Sequence, residues 1–168
     1  IIAKKLAHIH LDKIISSDFT RALQTAEILS QNRSLKIIVA KELRERSYGR
    51  LNGKTFSMIK SELQGKYDYY EKLPEKLKFI FKLVDDMETV KDALDRFSSY
   101  LQKITIEHEG ETLLLVCHGT LMRALLKKYG LLKYDESSSK IVQNGSYFKI
   151  ENDDTRFHIT EEFKIRKE

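Results

Sequence analysis

A chain of 168 residues, 41% hydrophobic and 33% charged, is long enough to bury one core and short for two independent domains; one Pro and seven Gly exclude a disordered or fibrous polymer. Its 30 Lys and Arg against 25 Asp and Glu give a formal net charge of +5. The cations are interleaved with acids, as in EKLPEKLKF and KSELQGKYDYYEK, which speaks against a nucleic-acid stripe and for a solvated surface or a small anionic ligand.

No apolar run approaches the roughly 20 residues of a membrane span, and no charged-then-apolar leader opens the chain, so a soluble, cytoplasmic protein without a membrane partner is expected. The single cysteine, Cys117, has no internal disulfide partner and sits inside an apolar run, which fits a core residue in a reducing compartment.

Ile2, Leu6 and Ile9 keep helical spacing with no capping residue before them, so the chain begins as though already inside a helix. Lys13 to Ser16 (KIIS) reads as a strand, Ser17-Asp18 as an N-cap, and Thr20 to Gln31 as a helix with Ala22, Ala26 and Leu29 on one face. Leu35 to Ala40 (LKIIVA) is a second strand. From Thr55 to Met87 the pattern turns aromatic and amphipathic around the only proline, Pro74. This stretch reads as a helical insertion over the sheet's end, with too few residues for a core of its own.

A helix from about Met87 to Ile106 carries Val90, Leu94, Phe97, Leu101 and Ile104 at alternating spacings of four and three. Thr112 to Cys117 has the continuous apolar character of a strand buried on both faces, and Thr120 to Tyr129 returns as a helix. Ser146 to Glu151 and Arg156 to Lys164 form a hairpin across Asn152-Asp153-Asp154. Strands alternating with helices predict one α/β domain over residues 1–168 with a mainly parallel sheet.

In such a sheet, ligands bind beyond the carboxyl ends of the strands. Three polar clusters fall there: Ser16-Ser17-Asp18 with Arg21, the segment Leu43 to Gly49, and His118-Gly119-Thr120. A cation in a helix's first turn opposes the helix dipole, so Arg21 fits either a phosphate or carboxylate ligand or a surface pair with Asp18 or Glu45. His118 fits a core histidine satisfied by backbone, or a functional one, since Gly119 lets a ligand approach the backbone closely. Glu45 is a general-acid candidate and equally a salt-bridge residue.

Together these segments resemble the histidine phosphatase superfamily, the phosphoglycerate mutase-like enzymes. The resemblance is carried by SSDFTRALQTAEIL (16–29), LRERSYGRLNGKT (43–55), LLLVCHG (113–119) with MRALL after it, and NGSYFKI (144–150), in the family's order. It implies a three-layer α/β/α fold and a two-step transfer through a phosphohistidine, with no metal or other cofactor and a small phosphorylated substrate. By the same resemblance, Arg21 is a phosphate-pocket arginine, His118 the second histidine steadying the phosphoryl group, and Glu45 the proton donor. Ser17, Gly119, Thr120 and Asn144 line the phosphate or substrate site.

The family's Arg-His-Gly, which supplies the nucleophilic histidine on its first strand, does not occur in this chain. His8 and His10, in AHIH on what reads as the opening helix, are neither preceded by Arg nor followed by Gly, and a His-x-His pair on a helix chelates metal poorly. The first strand and nucleophile are therefore expected upstream of Ile1, and the chain by itself is expected to be inactive or crippled. Hydrolysis of a small phosphomonoester is the reading favoured, because the insertion is short for a glycolytic mutase. Mutase-type transfer and a noncatalytic anion-binding member are the alternatives. The aromatics Tyr67, Tyr69, Tyr70, Phe79 and Phe81 either line the pocket or pack the insertion. Oligomeric state, a dimer included, is left open.

Overall fold

Three short parallel strands organise the computed structural model, which describes residues 2–31, 33–133, 142–152 and 157–165. They are β1 (Lys13–Ser16), β2 (Ile37–Val39) and β3 (Leu113–Val116), in the order β2-β1-β3. Ile14 stands opposite Ile37 and Leu114, and Ile15 opposite Ile38 and Leu115. Because successive side chains leave a strand on opposite faces, this register sorts the apolar residues into two sets.

One set, with Ile14, Ile37, Leu114 and Val116, packs against Leu6 of α1 (Ile2–Leu6) and Ala26 and Leu29 of α2 (Thr20–Ser30). The other, with Ile15, Ile38, Leu113 and Leu115, packs against α5 (Val90–Glu107) and α6 (Gly119–Lys128). Helices on both faces of a parallel sheet make the expected three-layer α/β/α arrangement. Buried Phe97, Leu101 and Ile104 of α5 meet Leu121, Ala124 and Leu125 of α6 in the larger core. Truncating a ring such as Phe97 there costs roughly 3–5 kcal/mol.

The helix after β1 does not have the expected cap. Phe19 stands at the N-cap of α2 with no capping side chain, while Asp18 turns to Arg44 and Ser17 accepts only a 3.4 Å bond from the Phe19 amide. A carboxylate offered a bidentate guanidinium gains more there than from one amide. The long helix starts at Val90 rather than Met87, because Thr89 and Asp92 close a capping box: Asp92 N–H donates to Thr89 Oγ1 at 2.9 Å and Thr89 N–H to Asp92 Oδ2 at 3.0 Å. β2 is shorter than Leu35 to Ala40, passing at once into a 3-10 turn over Lys41–Leu43. All four residues of β3 are half-buried, not fully enclosed, because among the described residues β3 pairs only with β1.

Residues 55 to 87 form α3 (Phe56–Lys72), which kinks at Gln64 (φ 27°), then α4 (Glu75–Lys78) and turns. The insertion shares a small buried cluster with the segment before it: Leu51, Ile59, Leu83, Val84 and Met87 are buried together, with Tyr48, Tyr67, Tyr70 and Phe81 packed on them. Few large side chains suffice because aromatic rings each cover much area. Gly49, at φ 57°, admits the insertion's Asp86 carboxylate against its Cα, where a Cβ would collide. The last two strands, β4 (Val142–Asn152) and β5 (Phe157–Ile165), pair antiparallel in a sheet of their own, and Phe148 and Ile150 of β4 pack on the larger core. Of the expected hairpin turn, Asp153 and Asp154 lie outside the described residues.

Candidate active site

β1 and β3 end side by side, and each delivers a polar residue at its carboxyl end. Ser17 follows β1 and is fully buried; His118 follows β3 and is 7% exposed. The Ser17 amide bonds to the Val116 carbonyl at 2.9 Å, which fixes the two ends relative to each other. His118 Nε2 then lies 2.9 Å from Ser17 Oγ, and its Nδ1 lies 3.1 Å from Arg21 Nη2.

These two contacts settle the proton on the ring. A guanidinium N–H can only donate, so Nδ1 accepts with its lone pair and Nε2 carries the hydrogen that Ser17 Oγ receives. Burial holds the His118 pKa below the ordinary 6.5, with the Arg21 charge pushing the same way and the Glu45 carboxylate pushing against it. The imidazole is therefore neutral at pH 7.

Phe19 supplies the platform. Its ring meets His118 edge-on at 5.2 Å, and the guanidinium carbons of Arg21 and Arg44 sit 5.0 and 5.7 Å from its centroid. Arg44 also grips Asp18 with two N–H groups, Nε to Oδ1 at 2.7 Å and Nη2 to Oδ2, which keeps the Asp18 carboxyl below its usual pKa. The loop after β2 is thereby tied to the loop after β1.

Next to Arg44, Glu45 reaches across to α6. Its Oε2 accepts from the Thr120 amide at 3.2 Å and its Oε1 from the Arg46 amide at 2.8 Å. A carboxylate at the positive end of α6, one turn from His118, is favourably placed electrostatically. Arg123 reaches back over the same turn, bonding Thr120 Oγ1 at 3.2 Å and lying 2.9 Å from where a Cβ on Gly119 would stand, so Gly119 makes room for it. Burial, with Glu45 nearby, pushes the Cys117 thiol up to about 12, far from a reactive thiolate.

Of the residues expected from sequence, Arg21, Ser17, Glu45, His118, Gly119 and Thr120 come together here. Asn144 lies exposed in the bulged beginning of β4, before Gly145 (φ 76°), and among the described residues no hydrogen bond ties it to this group. His8 and His10 lie beyond the end of α1 rather than on it; His10 bonds Asp12 at 3.0 Å near the amino end of β1. Tyr67, Tyr70 and Phe81 pack the insertion, Phe79 packs the larger core, and Tyr69 is largely exposed, resting on Phe81. Phe19 and Arg123, which the structure places beside this group, were not legible from sequence, since each looked like an ordinary member of a helix or its flank. Among the described residues no three His, Cys, Asp or Glu side chains gather as metal ligands, and no helix is long and apolar enough to cross a membrane.

Residues 1–163 match the model of the histidine phosphatase superfamily (branch 1). The chain belongs to that superfamily. It is 30% identical over 115 residues to a Bacillus subtilis protein described as the uncharacterized phosphatase PhoE, covering 68% of this chain and 51% of the relative. To phosphoglycerate mutase-like protein 4 of Arabidopsis thaliana it is 27% identical over 132 residues, 74% of this chain and 51% of that one. The chain thus spans about half the length of the curated relatives it matches. The structure of Bacillus stearothermophilus YhfR superposes with a TM-score of 0.78 at 29% identity, over 94% of this chain and 76% of that one.

Proposed function

We propose that the protein carrying this chain is a metal-independent cytoplasmic phosphatase that hydrolyses a small phosphomonoester through a phosphohistidine. The observation that carries this reading is the convergence of Arg21, Ser17, Glu45 and His118, drawn from three strand ends and separated by up to 101 residues in sequence. Arg21 and the Nε2–H of His118 receive phosphoryl oxygens, helped by the Ser17 hydroxyl, and fix positive potential where charge concentrates during transfer. The transfer needs a second, nucleophilic histidine, which the four converging residues do not include. Its nitrogen bonds to phosphorus as the P–O bond to the alcohol breaks, and Glu45 protonates the departing oxygen. Water then attacks the phosphohistidine, giving its proton to Glu45; the P–N bond breaks, and phosphate leaves with the nucleophile restored.

A phosphatase is favoured over a mutase by the short insertion and by the relative named as a phosphatase. A noncatalytic anion binder has no use for a carboxylate beside its histidine. The full-length protein should hydrolyse p-nitrophenyl phosphate in EDTA, and His118→Ala should lower kcat/KM at least about a hundredfold. Turnover that requires added metal, or that survives the loss of His118, would overturn the proposal.

A further inference from the structure

Glu45 sits in a segment with almost no structure of its own. After the 3-10 turn Lys41–Leu43, the chain runs extended through Arg44 (φ −58°, ψ 149°), and no strand ladder holds it. Besides the Arg44–Asp18 side-chain pair, a second ion pair holds its backbone from outside. Arg96 of α5 donates Nη1 to the Glu42 carbonyl at 2.5 Å and Nη2 to the Arg44 carbonyl at 3.2 Å. The same guanidinium donates Nε and Nη2 to the two oxygens of Glu88 at 3.0 and 3.1 Å. Glu88 Oε2 in turn accepts the Ser47 amide at 3.0 Å, and the Glu88 amide donates to the Ser47 carbonyl at 2.9 Å. The grip falls on residues 42 and 44 before Glu45 and on residue 47 after it.

Both partners are rigidly placed. Glu88 directly precedes the Thr89 cap of α5, and Arg96 lies two turns along that helix, with side chains only 19% and 26% exposed. A planar fork of donors can hold two carbonyls and a carboxylate at once, which a lysine ammonium on a flexible stem cannot reproduce. We propose that Arg96, with Glu88, is a positioning residue for Glu45: it sets where the carboxylate stands relative to the leaving oxygen, without touching substrate. This rests on the proton-donor role proposed for Glu45. Misplacing a catalytic group by about 1 Å costs about a hundredfold in rate, so the loop needs such a clamp.

Leaving-group dependence tests the proposal in the full-length protein. p-Nitrophenolate departs without a proton, whereas an alkoxide needs one, and kcat/KM reports the step in which the leaving group departs. Arg96→Lys should lower kcat/KM on ethyl phosphate by about thirtyfold and on p-nitrophenyl phosphate by less than about threefold; Glu45→Gln should show the same preference more strongly. Equal losses on both substrates in Arg96→Lys, with the preference present in Glu45→Gln, would leave Arg96 merely structural and overturn the proposal. Absence of the preference in Glu45→Gln as well would remove the proton-donor reading beneath it. Should Arg96→Lys fail to fold, Glu88→Gln is the deciding variant: it keeps the side chain's size while weakening the bracket. A selective loss on ethyl phosphate supports the clamp; an even loss or none refutes it.

Discussion

The two ends of β1 and β3 carry similar residue types and use them in opposite ways. At the amino end, Lys13 pairs with both oxygens of Glu111, His108 Nδ1 lies 2.9 Å from the same carboxylate, and Asp12 accepts the Thr112 amide at 2.7 Å. Every charge there meets an opposite charge or a backbone donor, and Glu111 and Asp12 are held below their usual carboxylate pKa, by the Lys13 and Thr112 hydrogen bonds respectively. At the carboxyl end, Arg21 faces a neutral histidine, Arg123 bonds the Thr120 hydroxyl, and among the described residues neither Arg123 nor Arg46 pairs with a carboxylate, Arg46 being buried against Met87 and the Tyr48 ring. One end is closed by ion pairs; at the other, Arg21 and Arg123 bond neutral partners.

The largest expected contrast between the two is catalytic. Beside the hundredfold or greater loss in His118→Ala, His108→Ala should leave kcat/KM on p-nitrophenyl phosphate within about twofold, since its partners serve the amino end. A large loss in His108→Ala would erase the distinction.

The next contrast is in titration. His118 should titrate below 6.5 when followed by NMR of its ring protons, and inorganic phosphate should raise that value by bringing negative charge to the ring. Because the unfolded chain takes up this proton at about 6.5 and the folded chain only at lower pH, the contribution of His118 to stability is complete above 6.5 and declines as pH falls below it. Denaturation midpoints of wild type and His118→Gln between pH 7 and 5 should therefore diverge less in acid, and parallel curves would contradict the buried neutral ring.

Smaller effects belong to the supporting structure. Thr89→Ala removes one side of the capping box that launches α5, and should cost about 1 kcal/mol by urea unfolding. Glu111→Gln should lower Tm slightly in dilute buffer and not at all at high salt, since the pair is a surface one that ions screen. A salt-independent loss would mean that the amino end does more than close the sheet.

How much was legible beforehand follows from what sits close in sequence. KIIS and LLLV are short apolar runs and the helices after them repeat with period 3.6, so the strand and helix order, the insertion and the positions of Arg21, Glu45 and His118 at strand ends could be read directly. Asp18 was misread as a cap because a capping residue and an arginine partner have the same composition locally; the arginine lies 26 residues away. The cluster that joins Leu51 to Met87 was not legible, because it closes around a kink no periodicity announces.

The residue types and their order along the chain were thus readable from sequence alone: a histidine after one strand, an arginine after another, a carboxylate after the third. Only the tertiary structure decided which nitrogen of His118 holds its proton, which residues the arginines bond, and which ion pair steadies Glu45. Those outcomes turn on contacts between residues 41 to 101 positions apart, such as Ser17 with His118 and Ser47 with Glu88. Short-range pattern carries backbone conformation, but hydrogen-bond partners are chosen only when distant strand ends are brought to within about 3 Å of one another.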